Sequence, residues 1–377
     1  MFIKRAITEE IKKSLNSGKA IIIYGPRQVG KTTLIQKIKD EIPGNKLFVS
    51  GEDRFVREWL SSQSIEILKR NLAGYDTLFI DEAQYIDKIG LNIKLIVDHI
   101  KSVKVVATGS SSFELSNQVG EPLVGRKWQY ELFPISQLEL KQYEDYSTST
   151  QNLPERLIFG SYPEVVTSDG LIEKKNILNS IVDNYLYKDI LAMGNLKRPE
   201  KLIDLLKLLA FQIGKEVSVS ELASSLNINF ATVERYLDLL TKVFVIVRVN
   251  GFSRNLRKEV TKNSRYYFYD NGIRNAIINN FNDLKTRDDV GVLWENYVFI
   301  ERLKKRKYSG IIANQFFWRT YDQKEIDLLE EREGKIFGFE FKWKKGEKVK
   351  APKSFLEAYP GSEFKVINQE NYLDFLT

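Results

Sequence analysis

The chain contains no cysteine. That excludes disulfides, thiol nucleophiles and cysteine-ligated zinc. It has one histidine, His99, inside the helical pattern Leu91 to Ile100. A single histidine cannot build a histidine metal site, so it reads as ordinary helix surface or core. No apolar run approaches the length of a membrane span. The first residues, Met1-Phe2-Ile3-Lys4-Arg5, lead into a charged amphipathic pattern and not into a signal peptide. These absences point to a soluble, cytoplasmic protein without a membrane partner.

What is present suffices for two or three domains: 377 residues, 43% of them hydrophobic. The net charge is +7 and the pI about 9.1. Such a balance permits nucleic-acid or other anionic partners without requiring them.

The most informative stretch is Gly25-Pro26-Arg27-Gln28-Val29-Gly30-Lys31-Thr32, followed by Thr33. An apolar, β-branched run, Ala20 to Tyr24, precedes it, and helical spacing of apolar residues follows. A strand, a glycine loop and a helix start form the context in which residues 25–33 curl around a phosphate chain, with every backbone N–H but that of Pro26 free to donate. Lys31 is then placed for the β- and γ-phosphates, and the Thr32 hydroxyl for Mg²⁺. ATP and Mg²⁺ are the expected ligands. A flexible turn is the competing reading, and both flanking elements disfavour it.

A second apolar run, Thr77 to Ile80, ends in Asp81-Glu82. Behind a phosphate loop, Asp81 is expected to hold Mg²⁺, directly or through water. Glu82 is expected to polarise the attacking water. A third run, Val103 to Ala107, leads into Thr108-Gly109-Ser110. A polar residue there senses the γ-phosphate or fixes the water, with Ser110 as first choice and Thr108 as reserve. A serine-rich helix cap is the other reading. Arg126, before the run Gln129 to Phe133, is a candidate for stabilising transition-state charge, in its own subunit or a neighbour's. A solvated arginine is its alternative. Strands at 20–24, 46–50, 77–80, 103–107 and 129–133, with helices between most of them, argue a parallel α/β sheet.

GPRQVGKTTL, LFIDEAQ, VVATGSSSFEL, VGRKWQYELFPIS and GSYPEVV (Gly160 to Val166) together resemble bacterial and archaeal AAA-type P-loop ATPases with a C-terminal nuclease-like domain. The resemblance spans essentially the whole chain. It implies an additional-strand parallel sheet, in which another strand separates those carrying Lys31 and Asp81. The domains expected are a P-loop ATPase domain at 1–142, a helical lid at 152–196, a winged helix-turn-helix at 197–272 and an α/β nuclease-like domain at 285–377.

Tyr143 to Gln151 is polar and reads as a surface loop. Ser218 to Glu221 has the S-x-x-E capping pattern, opening a helix to Leu226. A tight turn then leads to Asn229, the cap of a second helix through Lys242. Thr232 and Arg235 fall on its outer face. Five basic residues, Arg254, Arg257, Lys258, Lys262 and Arg265, stand against Glu259 alone between two apolar runs. That is a wing suited to DNA phosphates. Winged helices also serve as protein contacts or lids.

Near the C-terminus, Glu295 lies in an apolar helical run. Asp327, Glu340 and Lys342 lie on two strands of a hairpin, with Glu340 and Lys342 on one face. This set resembles the PD-(D/E)XK nuclease fold, although Ile326 stands where the motif has proline. The resemblance implies Mg²⁺ on Asp327 and Glu340 with help from Glu295, and Lys342 positioning the nucleophile. An inherited scaffold, with Lys342 merely paired to a carboxylate, is the competing reading. The lysine-rich run after Lys342 suits a nucleic-acid backbone or a solvated face. The functional expectation is an ATPase coupled to DNA, with homo-oligomerisation open. The alternatives are an ATP-regulated nuclease and a STAND-type switch whose downstream domains bind protein.

Overall fold

A computed structural model describes residues 2–109, 123–184, 198–253, 263–320, 323–347 and 349–377. The chain divides into two compact units. One is Phe2–Phe133 with Lys242–Phe244; the other is Pro134–Thr241 with Val245–Thr377.

The first unit contains a five-stranded sheet of β1 (Ala20–Tyr24), β2 (Lys46–Ser50), β3 (Thr77–Asp81), β4 (Lys104–Gly109) and β5 (Lys127–Glu131). The order is β2-β3-β4-β1-β5, and every pairing is parallel. Strand β4 therefore lies between the strands that lead to Lys31 and Asp81, as the additional-strand arrangement requires. All five residues of β1 are buried, as expected of a central strand covered on both faces. Each buried isoleucine there contributes roughly 1.5–3 kcal/mol.

In the second unit, β6 (Glu216–Val217), β7 (Ile246–Gly251) and β8 (Ser264–Phe268) join β9 (Asn314–Arg319), β10 (Glu325–Arg332), β11 (Lys335–Phe341) and β12 (Glu363–Ile367). They form one sheet, β12-β11-β10-β9-β7-β8-β6. The seam is a short parallel pairing of β7 with β9, Asn250 against Phe316 and Gly251 against Phe317. Strands from the segments 197–272 and 285–377, expected as separate domains, thus share one sheet. The core of that unit includes Phe252, Trp318, Ile326, Leu329, Ile336 and Phe355.

Local signals account for most elements. Ser218 Oγ accepts the Glu221 N–H at 3.3 Å and starts the helix Val219–Leu226. The reciprocal capping box occurs elsewhere, between Ser136 and Glu139. Asn227 closes the helix in the left-handed region, and Asn229 Oδ1 accepts the Thr232 N–H at 2.7 Å to start Phe230–Lys242. Glu333 and Gly334, both at positive φ, make the two-residue turn between β10 and β11.

One polar stretch departs from expectation. Tyr143 to Gln151 is not all loop, because a helix runs Tyr146–Phe159. Asp145 caps it by accepting the Thr148 N–H at 2.7 Å. Ser149 and Leu153 on its inner face are buried. A short polar side chain that finds buried partners defeats a reading based on apolar spacing alone.

Candidate nucleotide site and acid cluster

In the first unit, Gly25 follows β1 where the backbone passes under Leu132. A Cβ on Gly25 would lie 2.1 Å from the Leu132 carbonyl oxygen, so only glycine fits. Gly30, at φ 90°, turns the chain into the helix Lys31–Glu41, whose N-terminus has no side-chain cap. Its first N–H groups are therefore available to an anion. Lys31 is buried, with its Nζ donating to the carbonyls of Gly25 at 3.0 Å and Pro26 at 2.8 Å. Burial lowers its pKa to about 8, opposed by the nearby Glu82 and Asp81 carboxylates.

Thr32 Oγ1 donates to Asp81 Oδ2 at 2.7 Å. Thr108 Oγ1, at the end of β4, donates to Asp81 Oδ1 at 2.5 Å and accepts the Glu82 N–H at 3.2 Å. Glu82 lies in the left-handed region at φ 49°, an uncommon conformation for a non-glycine residue. The Gln84 side-chain amide donates to its carboxylate. A hydroxyl and a carboxylate at the mouth of a phosphate loop suit Mg²⁺, which uses few protein oxygens and fills its shell with water and phosphate. When bound, that ion neutralises charge building on the transferred phosphoryl group.

The structure sorts the remaining candidates. Thr108 touches Asp81, so the reserve reading has a contact behind it; Ser110 lies outside the described residues. Arg27 donates to Tyr85 Oη at 2.6 Å. Arg126 does not reach the loop within its own chain. Its carbonyl pairs with the Ala20 N–H at 2.9 Å, at the opposite end of the parallel strands from Gly25. The intervening strand separates the two by about 16 Å. Its Nε instead donates to Asp98 Oδ1 at 2.7 Å. Sequence reasoning missed Arg5. It is buried, with Nη1 donating to the Val29 carbonyl at 2.6 Å and Nη2 to the Phe133 carbonyl at 2.5 Å. Arg5 thereby braces the loop from behind, and no local motif announces such a role.

In the second unit, the four acid-set residues come together. Leu328 pairs with Phe339, which brings Asp327 beside Glu340. A register shift against β9 falls between Ile326 and Leu329, the stretch that contains Asp327. Asp327 Oδ2 accepts the Phe341 N–H at 2.8 Å. Lys342 Nζ stands 2.8 Å from Glu340 Oε1. Glu295, from the helix Val290–Tyr308, accepts from Tyr267 Oη at 2.8 Å. Burial pushes Glu295 up to about 7, and burial first, then Glu295 and Glu340, push Asp327 well above the ordinary carboxylate range. Among the described residues, no group of three or more acidic, histidine or cysteine side chains is arranged to hold a metal.

A second cation at this cluster, beside Lys342, is Arg265 of β8. Its Nη1 lies 3.7 Å from both Glu295 Oε1 and Asp327 Oδ1, and its Nη2 donates to Glu325 Oε2 at 2.6 Å. By sequence alone Arg265 is only one more basic residue of the wing.

Thr232 is half-buried and Arg235 exposed. With Arg198, Asn227 and Asn229 they line an open groove of about 590 Å³ at the turn between the helices. Arg254, Arg257, Lys258 and Lys262 lie outside the described residues, as do residues 185–196 of the expected lid. Among the described residues, no helix is long and apolar enough to cross a membrane.

Comparison with known proteins agrees with the first site. An AAA domain model matches residues 17–141. Two models described as domains of unknown function match 150–284 (DUF8612) and 290–374 (DUF4143). An uncharacterised protein of Mycobacterium tuberculosis is 26% identical over 345 residues, covering 90% of this chain and 74% of that one. One from Methanocaldococcus jannaschii is also 26% identical over 345 residues, covering 86% and 75%. Among solved structures, a Walker-type ATPase of Pyrococcus abyssi matches with a TM-score of 0.49 and 15% identity, over 74% of this chain and 96% of that one. The RuvB Holliday junction branch migration motor of Thermotoga maritima matches at 0.34 and 18%, over 66% and 90%. The phosphate loop, the Thr32–Asp81–Thr108 contacts, the strand order and the domain match together make the N-terminal part of this chain an AAA-type P-loop ATPase domain.

Proposed function

We propose that this ATPase domain hydrolyses ATP with Mg²⁺ held at Thr32 and Asp81, and that the cycle is coupled to DNA bound by the second unit. The observation that carries the hydrolytic part is the hydrogen-bonded set Thr32–Asp81–Thr108 with Glu82 beside it. Lys31 leaves the Gly25 and Pro26 carbonyls for phosphate oxygens, trading neutral acceptors for charged ones. Glu82 orients the attacking water.

The DNA part rests on the second unit. The order helix Pro199–Phe211, β6, helices Val219–Leu226 and Phe230–Lys242, β7 and β8 supports the winged-helix reading. The groove presents Arg198, Thr232 and Arg235, and the segment between β7 and β8 is strongly basic. Arg265 among the acids weighs against the nuclease alternative and favours a platform derived from that fold. ATP turnover measured with and without duplex, single-stranded and branched DNA tests the reading. DNA-stimulated turnover with the DNA intact on a gel is expected. Turnover indifferent to every DNA form, with no binding, would favour the protein-contact switch instead.

A further inference from the structure

The acid set of the second unit meets a guanidinium where a metal site would need an ion. Glu295, Asp327 and Glu340 arrive from one helix and two strands, and Glu325 adds a fourth carboxylate. Mg²⁺ would need those oxygens at about 2.1 Å from a common centre. Arg265 Nη1 instead stands 3.7 Å from both Glu295 Oε1 and Asp327 Oδ1. We propose that Arg265 is the resident cation of this pocket, standing in for a divalent ion, and that the pocket is an ion-paired clamp joining β8 to the C-terminal hairpin.

Four features support it. One oxygen of each acid is engaged by the protein: Asp327 Oδ2 by the Phe341 N–H, Glu340 Oε1 by Lys342, Glu295 Oε1 by Tyr267; Glu340 Oε2 is buried without a hydrogen-bond partner among the described residues. Arg265 is itself buried at 3% exposure, and its guanidinium lies over the Phe317 ring at 4.6 Å, which fixes the plane of the fork. Gly214, at φ 73°, closes the side facing Glu295; a Cβ there would lie 2.9 Å from Glu295 Oε1. Lastly, β8 is bound on both edges, Arg265 pairing with Val249 of β7 and Glu216 of β6, so its side chain is delivered by a fixed strand and not by a loop. Two cations, Arg265 and Lys342, serve four carboxylates. Arg265 draws the raised Glu295 and Asp327 down towards their charged forms, so without it the acids demand protons or an added cation. The inference does not depend on whether the chain binds DNA.

The test uses the full chain without nucleotide, so that the phosphate loop holds no ATP·metal. Free Mn²⁺ is counted by electron paramagnetic resonance, and melting is followed against Mg²⁺. Wild type should take up no Mn²⁺ that Asp327→Asn removes, up to millimolar levels. Arg265→Met should melt several degrees lower, recover part of that drop with Mn²⁺ or Mg²⁺, and forfeit the recovery when Asp327→Asn is added. Arg265→Lys keeps the charge but not the fork, and should stay metal-indifferent with an intermediate melting point. Asp327-dependent Mn²⁺ binding by wild type would overturn the proposal. So would a folded Arg265→Met chain that takes up no metal. If Arg265→Met does not fold, wild type against Asp327→Asn decides, since equal Mn²⁺ counts support the clamp and unequal counts refute it.

Discussion

Single side chains in the first unit have separable roles. Lys31→Ala removes the loop's buried ammonium and should abolish tight ATP binding by calorimetry. Glu82→Gln spares Asp81 and Thr32, so binding should persist while phosphate release falls by about 10²–10⁴-fold, the usual worth of a positioned base. Normal turnover in Glu82→Gln would remove Glu82 from its assigned role. In the second unit, Asp270 offers a pH test. It is buried and accepts N–H groups from Ser161 at 2.7 Å and Ile273 at 3.2 Å. Burial dominates even so, and raises its pKa from 3.8 to about 6, with Lys304 pulling it down. A carboxyl whose folded pKa is raised stabilises the fold below the unfolded value, and that contribution is lost as pH rises through about 6. The difference corresponds to about 3 kcal/mol. Asp270→Asn mimics the protonated form and should flatten the decline in stability between about pH 4 and pH 7. Parallel denaturation midpoints for the two proteins across that range would show that Asp270 stays ionised.

At the scale of elements, the GSYPEVV stretch finds a structural use. Gly160 ends the helix Tyr146–Phe159 at φ 72°, against the Asp270 cap of the helix Asn271–Ile277. A Cβ on Gly160 would stand 1.9 Å from Asp270 Oδ1, and one on Gly272 would stand 2.1 Å from the Phe159 carbonyl oxygen. The two helices meet where neither can carry a side chain. Gly160→Ala and Gly272→Ala should each cost more than about 3 kcal/mol, in the range of severe packing defects. Gly170→Ala, whose nearest neighbouring atom would be 3.7 Å away, should be nearly neutral. Comparable unfolding midpoints for all three would mean that the joint relaxes freely. A second buried lock, Arg302 on Glu330 through two hydrogen bonds of 2.8 Å, ties the helix Val290–Tyr308 to β10. Removing either partner alone would strand a buried charge, which is the costly way to break such a pair.

For the whole molecule, the seam between β7 and β9 decides what can be cut apart. A fragment of 285–377 would lack both the β7 pairing and Arg265, exposing an edge strand and the acid cluster. It should be insoluble or metal-dependent, whereas a fragment beginning at 134 retains the sheet; light scattering of the two distinguishes these outcomes. The proposed DNA contact belongs to this scale as well. Replacing Arg254, Arg257 and Lys258 by Ala should lower the slope of log affinity against log salt by about 0.9 for each phosphate no longer neutralised. An unchanged slope in a fluorescence titration would assign the basic segment to another partner.

The nucleotide site was legible in the sequence because its parts are local. Gly25 to Thr32 is one uninterrupted turn, and Asp81-Glu82 ends a strand whose apolar run announces it. The caps at Ser218 and Asn229 were legible for the same reason, since a cap bonds to N–H groups two or three residues away. Arg5, Arg126 and Arg265 were not, because an arginine declares its charge locally and its partner only across the fold. Arg126 stands at the far end of its strand from the loop, and Arg5 stands behind the loop. Arg265 sits among acids that lie far along the chain, the most distant beyond the helices Asn271–Ile277 and Val290–Tyr308 and the strands β9 and β10. The acid set at Glu295, Asp327, Glu340 and Lys342 was readable as a set. Only strand pairing across β7, β8, β9 and β10 decided that a guanidinium joins Lys342 among the acids, because pairing, and not sequence distance, fixes which side chains share a buried pocket.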